Sequence, residues 1–322
     1  MTTETLSPLR CHDFIEAFAQ GMAELEGLSV AESRPYCEAL YARLAAPLAD
    51  GVTASDETLH SDDGHVIALR RFSPTLDEPR KDGCVVYLHG GSWQIGSLDS
   101  HQGVASSLAA LLNREVISVD YRLLPEASYQ QALMDCDVAV RQLAPVAIVG
   151  DSAGGRLVMD VSRLHHKDLI DKLSDETDRT GKARSPYVLG LIYPPLDPIM
   201  QITTDDLTTL GPTAPLLSRE EIVGMWQLVA QGDPSRSYLM TPPHSRQAPA
   251  QVIEVLSVEH DPLTAPLETA VATWEAEGAE VGYHCATGMV HAALHAHHEL
   301  PEMGIAWQAF CHALDRRLCA LD

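Results

Sequence analysis

The chain has 322 residues, room for one large α/β domain with a lid or for two ordinary domains. Asp and Glu number 45 against 22 Lys and Arg, a net charge of −23, and only Lys81, Lys167, Lys172 and Lys182 are lysines. Such a surface repels nucleic acid and anionic membranes, so neither is expected as a partner; it suits a neutral or cationic substrate and raises adaptation to high salt as a sharper reading.

In chain order, MTTETLSPLRCHDFIEAFAQGM lacks the basic start and apolar core of a signal peptide. No apolar run approaches the ~20 residues that span a bilayer. The expectation is a soluble, cytoplasmic protein. Residues 10–48 read as helices, with Phe14, Ala17, Phe18, Met22 and Leu25 at helical spacing and a second amphipathic stretch over Arg34–Leu48 that Pro47 breaks. From about residue 53 the pattern changes to short β-rich apolar runs at 66–72, 85–90, 116–121, 146–151, 188–193 and 252–261. Helical stretches at 101–113, 128–143, 154–173 and 219–231 lie between most of them. This alternation predicts an α/β fold with a mostly parallel twisted sheet flanked by helices. Sites in such sheets lie at the carboxyl ends of the strands. Residues 196–245 interrupt the alternation with a Pro- and Gly-punctuated insertion, where Ser218 and Glu221 form a capping box. The predicted division is a catalytic core at 53–195 and 246–322 and a helical cap at 1–52 and 196–245.

Seven cysteines are scattered without a CxxC pair, which fits free thiols in a reducing compartment better than a disulfide framework. The central motif is Gly150-Asp151-Ser152-Ala153-Gly154, placed directly after the run VAIVG and opening a helix. Strand, tight turn and helix are the context of a nucleophile elbow, which lifts the Ser152 hydroxyl clear of the sheet at a helix N-terminus. His89-Gly90-Gly91-Ser92-Trp93 ends the run at 85–90, where a glycine loop presents backbone N–H groups to a developing oxyanion. Gly90, Gly91 and Ala153 are the expected donors, and His89 reads as a structural pin of the loop. The histidines are crowded at HAALHAHHEL: His291 and His295 are spaced i,i+4, which on a helix could chelate zinc. No HExxH occurs and no cysteine or carboxylate cluster completes a site in the sequence, so no metal and no other cofactor is expected.

HGGSW, DYRLLPE (120–126), GDSAGG, YPPLD (193–197) and HDPL (260–263) together resemble the hormone-sensitive-lipase-like family of α/β-hydrolases, and among them the bacterial acetyl esterases. The resemblance runs from about residue 65 to the C-terminus. It implies the α/β-hydrolase fold and a Ser-His-Asp acyl-enzyme mechanism: Asp261, at the end of its strand and before Pro262-Leu263, as the acid; His291, after the strand EVGYHC (280–285) through the loop ATGMV, as the base; Asp120, Arg122 and Glu126 as architecture. It also implies short acyl chains. Trp93, Tyr193, Leu196, Met225 and Trp226 are the expected pocket, with lid-helix packing an equal reading for Met225 and Trp226. Three positions depart from the family: Ser92 where HGGG is commoner, Thr264-Ala265-Pro266 where an acidic pair usually follows DPL, and Ala292-Ala293 where Gly-Phe usually follows the histidine. Ser92 is expected to be tolerated, and the last two departures bear on the acyl or alcohol pocket more than on the triad.

Two alternatives remain beside a serine carboxylesterase acting on small-molecule esters. HGGSWQ resembles arylformamidases, which share the fold and carry an aromatic residue at the Trp93 position. A non-catalytic binding member, as in plant hormone receptors, loses the catalytic histidine, whereas here all three triad positions are filled. An exposed edge strand near EVGYHC would permit a homodimer by edge pairing.

Overall fold

A computed structural model describes residues 10–75, 78–175, 187–196, 216–231 and 248–320. Its strands are β1 (Val52–His60), β2 (Val66–Pro74), β3 (Cys84–Leu88), β4 (Glu115–Asp120), β5 (Ala147–Asp151), β6 (Val188–Ile192), β7 (Val252–His260) and β8 (Glu280–Val290). They form one sheet in the order β1-β2-β4-β3-β5-β6-β7-β8. β1 and β2 run antiparallel to their neighbours, and every pairing from β4 to β8 is parallel. The central strands are continuous apolar runs because both their faces are covered: every residue of β5 and β6 is buried.

Side-chain alternation divides the core into two layers. Val86, Leu88, Ile148 and Leu191 pack on α4 (Tyr129–Leu143), α5 (Ala153–Asp175) and α7 (Thr264–Ala276). Val85, Tyr87, Val149 and Ile192 face α1 (Cys11–Ala23), α2 (Val30–Leu44), α3 (Gln102–Leu112) and α8 (Pro301–Cys319). Another described helix, α6 (Arg219–Gln231), joins the first layer through Ile222, Met225, Trp226 and Val229. The capping box read at its start is present: Ser218 Oγ accepts the Glu221 N–H at 3.2 Å, and the Ser218 N–H reaches Glu221 Oε2 at 2.6 Å.

Two strands differ from expectation. β1 carries no apolar run; only Val52 is buried, and the strand is fixed by nine-residue antiparallel pairing with β2 at the sheet edge. β8 does not end at Cys285. It continues through ATGMV to Val290, with a register shift between Val258 and His260 on β7, so His291 follows the strand directly. Of the expected cap segment 196–245, residues 197–215 and 232–245 lie outside the described residues. No described helix is long and apolar enough to cross a membrane.

Candidate active site

The parallel strands β5, β7 and β8, with β6 between the first two, end at one edge of the sheet, and the residue directly after each sets the chemistry. The chain leaves β5 at Asp151 and enters α5 at Ala153, leaving Ser152 alone to make the turn. Ser152 has φ +49°, a left-handed conformation that L side chains rarely adopt, and its N–H is held by Ile192 O at 2.8 Å. The turn is possible because Gly154 passes against the end of β3: a Cβ there would run into the Leu88 carbonyl.

Ser152 Oγ lies 3.0 Å from His291 Nε2, and His291 Nδ1 lies 2.7 Å from Asp261 Oδ2. The other oxygen of Asp261 accepts the Leu263 N–H at 2.9 Å, so the carboxylate is fixed at both ends. All three residues are buried. A carboxylate only accepts, so Nδ1 carries a proton and Nε2 turns its lone pair to the hydroxyl. Glu259, the neighbouring carboxylate, is spent elsewhere, accepting the Gly288 N–H at 2.7 Å.

The glycine loop differs in one respect from its sequence reading. The Gly90 N–H is not free for an oxyanion; it donates to Asp151 Oδ1 at 2.9 Å, and that oxygen also accepts the Tyr87 hydroxyl at 2.6 Å. Gly91 and Ser92, not Gly90, face the cavity beside Ser152. Both have positive φ, 110° and 56°, which turns this stretch of backbone inward. His89 pins the loop from behind: its Nδ1–H donates to Gly90 O at 2.8 Å, and its ring stacks on Tyr121. Burial, with His101 nearby, pushes the His89 imidazole down to about 3, so it stays neutral.

A match to the α/β-hydrolase fold family spans residues 85–295, from the β3 run past Ser152, Asp261 and His291. The chain belongs to that family. Within it, the chain is 34% identical over 185 residues to an ethyl acetate hydrolase of Pseudomonas putida, covering 54% of each protein. It is 38% identical over 91 residues to the carboxylesterase NlhH of Mycobacterium tuberculosis, covering 25% of this chain and 28% of that one. The chain thus spans about half the length of the first relative and less of the second. Its fold is shared with a hyperthermophilic esterase from Pyrobaculum calidifontis, with a TM-score of 0.78 at 22% identity over 96% of this chain and 98% of that one. These matches agree with the hormone-sensitive-lipase-like resemblance carried by the motifs.

In this α/β-hydrolase the cavity above Ser152 measures about 390 Å³. Phe18 and Met22 of α1, Leu25 of the turn after it, and Val30 and Cys37 of α2 line one side. Leu216, Leu217, Met225 and Leu228 line the other. Tyr193 and Met225 are on the cavity wall as expected from sequence; Trp93, Leu196 and Trp226 are not. Trp93 is fully buried, donating its indole N–H to Ala153 O at 2.9 Å and packing on Trp226 and Tyr129. Leu196 is buried and its carbonyl is held by Arg156 Nη1 at 2.9 Å; Arg156 also covers the Trp226 ring at 5.0 Å and pairs with Asp160 at 2.9 Å. Leu196 and Trp226 thus lie behind the cavity against that buried ion pair, a partner invisible in the motif, and Trp93 packs on Trp226 beside them.

The DYRLLPE segment ties layers together. Arg122 pairs with Asp135 and Asp63 at 2.7 Å each, and the Tyr121 hydroxyl donates to His89 O at 2.6 Å. Glu126 pairs with Arg34 of α2 at 2.6 Å, and the same guanidinium donates to Gln94 O and Leu124 O. The cavity-lining helix α2 is therefore anchored to the residues just after the glycine loop. The i,i+4 pair His291 and His295 does not share a helix face: Ala292 takes φ +63° and residues Ala293–Ala296 form one 3₁₀ turn, which sends His295 away from His291's partners.

Proposed function

We propose that this chain is a serine carboxylesterase hydrolysing short-chain acyl esters. One observation carries the reading: the unbroken hydrogen-bonded chain Ser152–His291–Asp261 at the floor of an apolar cavity. His291 Nε2 takes the Ser152 proton as Oγ attacks the ester carbonyl. Asp261 holds the imidazole in the Nδ1–H tautomer and stabilises its cation. The N–H groups of Gly91, Ser92 and Ala153 receive the oxyanion; no hydrogen bond from any of them is found among the described residues. His291 then protonates the leaving alcohol, and water, activated by the same imidazole, releases the acid. The cavity volume and apolar walls support a small, neutral acyl group. The names of the relatives support ester rather than amide substrates.

The test is hydrolysis of p-nitrophenyl esters from acetate to dodecanoate beside N-formylkynurenine. Cleavage of the short esters, falling with chain length, supports the reading; cleavage of the formamide alone contradicts it.

A further inference from the structure

Beneath the nucleophile, three buried side chains converge that the ester chemistry does not use. His101, at the start of α3, Asp151, at the end of β5, and His295, in the 3₁₀ turn, come from three separate elements. One ligand-capable atom from each lies within 4.8 Å of the others. Their exposures are 1%, 3% and 3%. Buried polar atoms are almost always paired, yet His101 Nε2 and His295 Nδ1 have no hydrogen-bond partner among the described residues. His101 Nε2 faces Asp151 Oδ2 at 3.5 Å, beyond a well-formed N–H···O bond.

We propose that His101, Asp151 and His295 form a binding site for a zinc-class divalent cation. Two imidazoles and a carboxylate are a zinc donor set of the kind that keeps a fourth position open. Asp151 and His295 line the cavity, so a water can enter that position. Metal–ligand distances of ~2.0–2.2 Å place tetrahedral ligands ~3.3–3.5 Å apart. The cluster therefore needs a closure of about an ångström, within the reach of side-chain rotation. Its outer contacts are already of the kind that orient ligands. His101 Nδ1 is paired with Ser100 Oγ at 2.8 Å, and Asp151 Oδ1 accepts from Tyr87 and Gly90, leaving Oδ2 for the cation. The Tyr41 ring, 4.4 Å from His295 and 5.9 Å from His101, walls the site on one side. Of these three residues the sequence reading singles out only His295 as a ligand, and pairs it with His291; His101 comes from the start of α3 and the carboxylate from the nucleophile elbow.

The test loads chelator-treated full-length protein with cobalt(II) and, separately, zinc(II), and reads bound metal per chain, the cobalt visible spectrum and the melting temperature. The proposal requires one equivalent, a four-coordinate spectrum without thiolate charge transfer, and a zinc-dependent rise in melting temperature. His295→Gln and His101→Gln should each weaken binding by at least ~10-fold. Cys285→Ser and Cys319→Ser, at exposed thiols, should leave it unchanged. Absence of saturable binding to the wild type overturns the proposal. Binding that survives both histidine substitutions, or that carries thiolate bands, also overturns it. If a histidine variant does not fold, the wild-type cobalt spectrum still decides.

Discussion

The indole N–H of Trp93 donates to the carbonyl of Ala153 at 2.9 Å across 60 residues of chain. It joins the glycine loop to the first residue of α5, and so sets the distance between the two backbone segments that would share an oxyanion. Trp93→Phe keeps an aromatic ring, smaller than the indole, and removes this bond. A lost buried hydrogen bond costs ~1 kcal/mol or more, and the melting temperature should fall by ~2–4 °C. The expected kinetic result is a lower kcat with the ester chain-length profile unchanged, because Trp93 lies behind the cavity wall. A shifted profile would restore it to the pocket.

The opposite pattern is expected at Met225, which does line the cavity. Met225→Ala should move the preferred p-nitrophenyl ester toward longer acyl chains. Leu196→Ala should leave the preference in place and lower stability by ~2–5 kcal/mol, the usual cost of emptying a buried leucine site. Denaturant melts beside the ester series separate the two.

Gly154→Ala puts a methyl group against the Leu88 carbonyl, which is backbone and cannot rotate away. Overpacking of this kind costs ~1–3 kcal/mol or more. The elbow should open, with loss of both stability and ester hydrolysis. A folded, fully active Gly154→Ala would show that β3 and α5 need not approach so closely.

Asp120 gives a pH dependence with a definite sign. Burial first, then the nearby carboxylates of Glu38 and Asp99, raise its carboxyl to about 6, against the opposing influence of Arg70 and His65. The folded chain thus holds this proton more tightly than the unfolded chain does. Stability from this group is fullest below about pH 4 and is lost as pH rises through about 6. Asp120→Asn removes the loss. The variant should melt ~2–4 °C above wild type at pH 8, and the gap should close toward pH 4. An equal gap at both pH values would point to a cause other than titration.

Much of this architecture could be read from sequence because the buried parallel strands are written as apolar runs and the elbow as a strand-turn-helix motif. Ser152, Asp261 and His291 fall at three strand ends that meet in the fold. What could not be read depends on partners far along the chain. β1 is invisible because an exposed edge strand needs no apolar pattern; VTASDETLH is held by β2. The strand β8 runs on through small residues that look like a loop. HGGSW marks the oxyanion loop but does not say which N–H is free; Asp151, 61 residues on, occupies that of Gly90. The Arg156–Asp160 pair that draws Leu196 and Trp226 inward, and the meeting of His101 with His295, have no local signature at all.

Covalent labelling reads directly whether Ser152 is the nucleophile. The intact protein is treated with a fluorophosphonate, residual p-nitrophenyl acetate hydrolysis is followed, and the modified peptide is identified by mass. One adduct is expected, on Ser152, forming in step with loss of hydrolysis and abolished in Ser152→Ala, whose kcat should be lower by ~10⁴–10⁶. An adduct on another residue, or full hydrolysis by a chain labelled at Ser152, would contradict it.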